Sequence, residues 1–234
     1  MKIHGTAKGG ALGKKDFGVA FGASGTPAPT PDFESDYDNT SDWTKVGTKV
    51  TVDETVSDVG YFDNIENAAG DNNVSQALGL TLSDSLWYAD FTFIINSFSS
   101  SGTGWLFLLT DSVNIPEVDD VDAIGVEILG DPDVRGYAIN GNVSTATTST
   151  VINLSVSTTY YARLERIDET NCRLNIYSDA DRTTHITGSP QSWTVSSSTV
   201  SLDTILHAAA DVGGGGRFTT ATVDTTKIFN DATP

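Results

Sequence analysis

Thr159-Tyr-Tyr-Ala-Arg-Leu-Glu-Arg-Ile167, the tripeptide Asp168-Glu-Thr170 and Asn171-Cys-Arg-Leu-Asn-Ile-Tyr177 together decide how this chain folds. Both long runs alternate in polarity, and a period of two sends successive side chains to opposite faces of a strand. A three-residue connection sets Ala162 opposite Ile176, Leu164 opposite Leu174 and Arg166 opposite Cys172. The other face then pairs Tyr161 with Tyr177 and Glu165 with Arg173. A slip of one residue would destroy every match, so the register is specified by the side chains themselves.

Working outward, the chain reads as strand, turn, strand. Trp43–Val52, Gly60–Ile65 and Ser75–Leu82 read as early strands, and Trp87–Ile95 alternates as a half-buried one. Trp105–Leu109 and Ala123–Leu129 are short apolar runs suited to central positions. Tyr137–Asn140 leads into the turn dipeptide Asn140-Gly141. Leu202–Ala210 fits a strand or a short helical turn equally, and no ten-residue helical pattern or long repeat occurs. The expected fold is all-β: a two-sheet antiparallel jelly-roll sandwich over residues 32–234, with an extended N-terminal arm over residues 1–31.

Composition agrees. The 234 residues are 38% hydrophobic, enough for a two-layer core with one solvated face per sheet. A single cysteine, Cys172, excludes an internal disulfide framework and falls on the inward face of its strand, where it serves as a small hydrophobe. The net charge of −18 argues against a nucleic-acid groove, which needs a positive surface. That charge is uneven. Residues 1–31 hold Lys2, Lys8, Lys14 and Lys15 against Asp16, a balance of +3 that leaves −21 for the remainder. The arm also carries the apolar patch Phe17-Gly-Val-Ala-Phe21 and the spacer Thr26-Pro-Ala-Pro-Thr-Pro31. Such a composition at a terminus reads either as a disordered tail or, more sharply, as an anchor, with Phe17 and Phe21 buried in a partner subunit and the lysines on an acidic surface. No run is long enough to span a membrane, and Gly and Lys interrupt the N-terminus too often for a secretory leader.

The hairpin, continued through Ser178-Asp-Ala-Asp-Arg-Thr-Thr184, resembles concanavalin A-like (laminin-G-like) jelly-roll domains of phage and microbial surface proteins. Asp32-Phe-Glu-Ser-Asp-Tyr37 with Ser41-Asp-Trp-Thr44 is similar to their first strand. Gly213–Gly216 followed by Thr222–Asn230 is similar to the closing strand, which the resemblance places near the first. The resemblance covers residues 32–230 and implies two curved antiparallel sheets, glycan binding or adhesion as common roles, and catalysis in some branches only.

Each chemistry has its candidates. Laminarinase-like relatives use Glu-x-Asp-x-x-Glu to flank a glycosidic bond with two carboxylates. Glu117-Val-Asp-Asp-Val-Asp122 matches save for Asp122, one methylene too short, so no catalytic residue and no enzyme is expected. Asp119, Asp120 and Asp122 are the first candidates for calcium, a hard cation that collects oxygen ligands; no EF-hand pattern is present. For sugar binding, aromatic rings must take the apolar face of the saccharide. Trp87, Trp105, Trp193, Tyr137 and Tyr161 are candidates, and Tyr161 with Tyr177 is the more telling pair, since it shares a face with Glu165 and Arg173.

The expectation is therefore a virion surface structural protein (a capsid decoration, turret or tail component), homo-oligomeric, anchored through residues 1–31 to other protein subunits and able to bind glycans. A carbohydrate-binding module or adhesin of a cell surface, exported by a non-classical route, is the alternative. A laminarinase-like hydrolase is disfavoured.

Overall fold

The computed structural model describes residues 28–37, 39–47, 50–53, 59–62, 72–98, 104–114, 121–129, 132–209 and 219–234. The strands are, in chain order, β1 (Phe33–Ser35), β2 (Thr44–Val46), β3 (Val50–Asp53), β4 (Val59–Phe62), β5 (Asn72–Ala77) and β6 (Trp87–Phe98). Then come β7 (Gly104–Thr110), β8 (Asp122–Ile128), β9 (Asp133–Asn140), β10 (Asn142–Thr148) and β11 (Ile152–Asn153). The last are β12 (Thr159–Arg166), β13 (Asn171–Tyr177), β14 (Gln191–Thr194), β15 (Thr204–Ala209) and β16 (Thr219–Asn230). Among the described residues a single 3-10 turn, Thr40–Asp42, is the only helical element, and no helix is long and apolar enough to cross a membrane.

The first sheet runs β14-β13-β12-β6-β16-β4-β3, with β1 paired to β16; the second runs β10-β9-β8-β7-β15-β5-β2, with β11 paired to β9. All pairings are antiparallel, and the sheets pack face to face as a sandwich. The β12–β13 register is the one the alternation dictates, from Tyr161 opposite Tyr177 to Arg166 opposite Cys172. Asp168 closes the connection: its Oδ1 accepts from the Thr170 amide at 2.8 Å and from the Asn171 side chain at 2.9 Å. Those bonds hold its carboxyl below the usual carboxylate range. The opening and closing strands meet, Phe33 lying opposite Ile228. Gly141, at φ 66°, makes the β9–β10 turn at the expected Asn-Gly site.

The core forms from alternate residues of both sheets. Ala89, Phe91, Phe93 and Ile95 of β6, with Leu164, Leu174 and Ile176, face Phe107, Leu109, Ile124 and Val126. Phe91 and Phe107 stack across the gap at 4.5 Å. A polar bridge also ties the layers. His207 Nδ1 lies 2.7 Å from the Leu106 carbonyl, which only accepts, so Nδ1 carries the hydrogen. Nε2 then accepts from the Tyr37 hydroxyl at 3.0 Å, and that hydroxyl accepts from Thr226 at 2.9 Å. Burial pushes the His207 pKa down to about 4 and the Tyr37 phenol above its ordinary value.

Two sequence expectations need correction. Trp43–Val52 is not one strand, because Gly47, at φ 77°, precedes a change of sheet: β2 joins the second sheet and β3 the first. Trp193 is not on an open platform; it packs between the sheets against Gly136, where an added Cβ would come within 2.3 Å of its ring. Leu202–Ala210 resolves to the strand β15. Cys172 is buried, as its inward position requires, and burial pushes its thiol up to about 12.

Candidate functional site

The outward faces of four neighbouring strands of the first sheet form a grid whose rows follow from the pairings. Phe229, Tyr88, Glu165 and Arg173 make one row; Lys227, Asp90, Arg163 and Asn175 the next; Asp224, Thr92, Tyr161 and Tyr177 the third. Opposite charges and aromatic rings therefore sit side by side across strands, the arrangement that stabilises cross-strand pairs.

The grid is held rigidly. Arg163 grips Asp90 through two parallel bonds, Nε to Oδ1 at 2.7 Å and Nη2 to Oδ2 at 2.8 Å. Its guanidinium lies 4.7 Å from the centre of the Tyr88 ring, which stacks on Phe229 at 4.4 Å. Burial works against the Arg163 charge, but the bonds and charge of Asp90 outweigh it and raise its pKa. Glu165 is buried and accepts from both Arg173 and Asn175. Tyr177 is buried under the ring of His185, stacked at 4.5 Å.

Beside this grid lies a cleft of about 240 Å³ lined by Asp90, Thr92, Tyr161, Ala180, Arg182, Thr225 and Lys227. Its size is close to, and slightly below, the ~300 Å³ at which drug-sized pockets begin. Two local distortions build its rim. β16 carries an extra residue between Asp224 and Lys227 relative to β6, and Thr225 occupies the bulge at φ 43°. The bulge turns Thr226 inward to Tyr37 and leaves Thr225 and Lys227 facing the cleft. On the opposite rim, Asp179 organises the turn after β13 by accepting from the Thr183 amide at 3.0 Å and the Thr184 amide at 2.7 Å. That turn ends at Arg182, at φ 53°. A left-handed conformation is costly for Thr and for Arg, and strained residues of this kind cluster where a ligand is held. Arg182 Nε reaches the Ala162 carbonyl at 3.4 Å and Asp90 Oδ1 at 3.5 Å.

The sequence candidates divide accordingly. Tyr161 lines the cleft and is half-buried; Tyr177 shares its row but is covered by His185. Trp193 belongs to the core, as does Trp87. Tyr137, with Trp105 at 5.9 Å, belongs to a second apolar cluster with Leu108, Ile139 and Leu206, on the outward face of the second sheet; all five are buried. Asp119 and Asp120, like Lys2, Lys8, Lys14, Lys15, Phe17 and Phe21 of the arm, lie outside the described residues. The Asp122 carboxylate accepts from the Asn140 side chain and the Val200 amide, both at 2.9 Å, and so serves as a brace between strands. Among the described residues no group of three or more His, Cys, Asp or Glu is arranged to hold a metal. Alternation missed Asp90, Thr92, Arg182, Thr225 and Lys227, which come from three separate segments. The inward-and-outward pattern of β6 was the one available signal for Asp90 and Thr92.

No family model matches the chain, and no curated protein matches it. Solved structures do. A GH43 protein of Bacillus licheniformis aligns with a TM-score of 0.56 at 12% identity, covering 84% of this chain and 39% of that one. Crh5 transglycosylase in its apo form aligns at 0.53 and 12% identity, covering 86% and 84%. A botulinum neurotoxin type C structure, from work on cell entry dependent upon two ganglioside molecules, aligns at 0.53 and 10% identity, covering 82% and 44%. This chain thus spans well under half of the GH43 protein. At these identities the likeness is one of fold: a β-sandwich shared with carbohydrate-active and glycan-binding proteins. The expectation of a non-enzyme is corrected by the same finding, since a GH43 protein and a transglycosylase stand among the neighbours.

Proposed function

We propose that this chain is a carbohydrate-binding β-sandwich domain and that the cleft on the outward face of the first sheet is its site. The arrangement of the cleft carries the reading: a half-exposed ring, Tyr161, stands beside fixed polar groups from Thr92, Thr225, Asp90, Arg182 and Lys227. A saccharide offers an apolar C–H face and a rim of hydroxyls. An aromatic ring takes the first, and pre-positioned donors and acceptors take the second at little ordering cost. The neighbours give coarse support, since one is described with NAG and another through ganglioside interaction. A glycan array tests the reading: the chain retains a set of saccharides, and Tyr161→Ala weakens that binding by about tenfold, the scale of one aromatic contact. Unchanged binding by the variant overturns the placement.

At the finer level, the domain works on the surface of a larger particle, a virion component gripped through residues 1–31. The opposite charges of the two parts, +3 against −21, support this reading, because the arm's lysines suit an acidic surface such as that of another copy. A large assembly formed by the full chain and lost on deleting residues 1–31 is the expected result; a monomer in both cases contradicts it.

A further inference from the structure

The cleft has a charge opposite to that of the molecule. The chain carries 31 acidic against 13 basic residues, yet two cations, Arg182 and Lys227, line one small cleft with a single carboxylate, Asp90. Asp90 is already satisfied by the bidentate grip of Arg163. Arg182 approaches it through Nε at 3.5 Å, and among the described residues its terminal nitrogens Nη1 and Nη2 donate no hydrogen bond. Burial, against the opposing pull of Asp90 and helped by the neighbouring Arg163 charge, disfavours the Arg182 cation and lowers its pKa. Lys227 pairs with Glu34 at 2.8 Å, but both side chains are exposed, and such a pair is readily exchanged.

We propose that the cleft recognises an anionic saccharide, with the free edge of Arg182 and the Lys227 ammonium holding a carboxylate or sulfate on the sugar while its ring lies against Tyr161. The proposal rests on the glycan-binding reading and narrows it to a substrate class. An arginine edge matches the two oxygens of such a group, and a charge-assisted pair is about twice as strong as a neutral one. The strained turn at Arg182 and the bulge at Thr225 fix the two rims between which the anion fits.

The test uses the full chain on matched neutral, uronic-acid and sulfated oligosaccharides, titrated in low salt. Carboxylated or sulfated members bind about tenfold or more tightly than their neutral counterparts, and the two anionic arms show which group is preferred. Arg182→Gln removes that preference, so that neutral and anionic members bind the variant alike. Lys227→Gln, a change at an exposed position, reduces it in part and guards against a folding artefact. Equal affinity for neutral and anionic members, or a preference that survives Arg182→Gln, overturns the proposal and leaves the glycan-binding reading standing. Failure to bind any saccharide overturns both.

Discussion

The outward faces of the two sheets are built from similar antiparallel strands and hold opposite chemistry. On the first, charged and aromatic residues alternate across strands and frame an open cleft. On the second, Trp105 and Tyr137 sit among Leu108, Ile139 and Leu206, and Trp105 retains only 2% of its accessible surface and Tyr137 only 6%. Two aromatic pairs thus look alike in the sequence yet do different things. What separates them is Tyr161, which is half-buried and lines an open cleft, whereas its row partner Tyr177 and Tyr88 of the charged grid are as buried as Trp105 and Tyr137. Aromatic residues alone do not mark a sugar site.

The comparison yields a graded set of expected effects. Trp105→Ala should destabilise the fold by about 3–5 kcal/mol, the cost of truncating a fully buried ring, read by urea denaturation. If it costs as little as a surface change, the second face is not the closed cluster described. Acid should weaken the bridge between the sheets by about 3 kcal/mol. The folded His207 pKa, about 4, lies below the ordinary 6.5, so the unfolded chain takes up the proton first. That stability is fully present above pH 6.5 and is lost as pH falls towards 4. A His207→Gln variant should show a flatter profile between those limits. Gly136→Ala should cost about 1–3 kcal/mol, since its Cβ would meet the Trp193 ring within 2.3 Å. Tyr161→Ala should change stability by no more than about 0.5–1 kcal/mol, a shift of a few degrees in Tm at most, because that ring faces the cleft. A large loss there would make Tyr161 a packing residue instead.

Much of this frame was legible in the sequence. The Tyr161–Tyr177, Glu165–Arg173 and Leu164–Leu174 pairs follow from alternation and a three-residue connection, and all are observed. The Asn140-Gly141 turn was equally readable, while the meeting of first and last strands came from the family resemblance and is observed. Arg166 shows where such reading stops. Alternation turns it inward beside Leu164, an odd place for a cation. There it is buried and donates to the backbone carbonyls of Thr199, Asp168 and Glu169, partners that no local pattern reveals. The cleft was hidden for the same reason. Asp90, Arg182 and Lys227 are far apart in the chain, and the two features that unite them, the bulge at Thr225 and the left-handed Arg182, break the period on which the strand reading depends. Trp193 was misplaced because a short strand flanked by polar residues gives no hint that its one large ring plugs the space over Gly136.

The most direct test of the saccharide site is a structure of the chain with a bound oligosaccharide. The sugar ring should lie against Tyr161, with its polar groups on Thr92, Thr225, Arg182 and Lys227. A sugar seated elsewhere, on the face of Trp105 and Tyr137 above all, would contradict it.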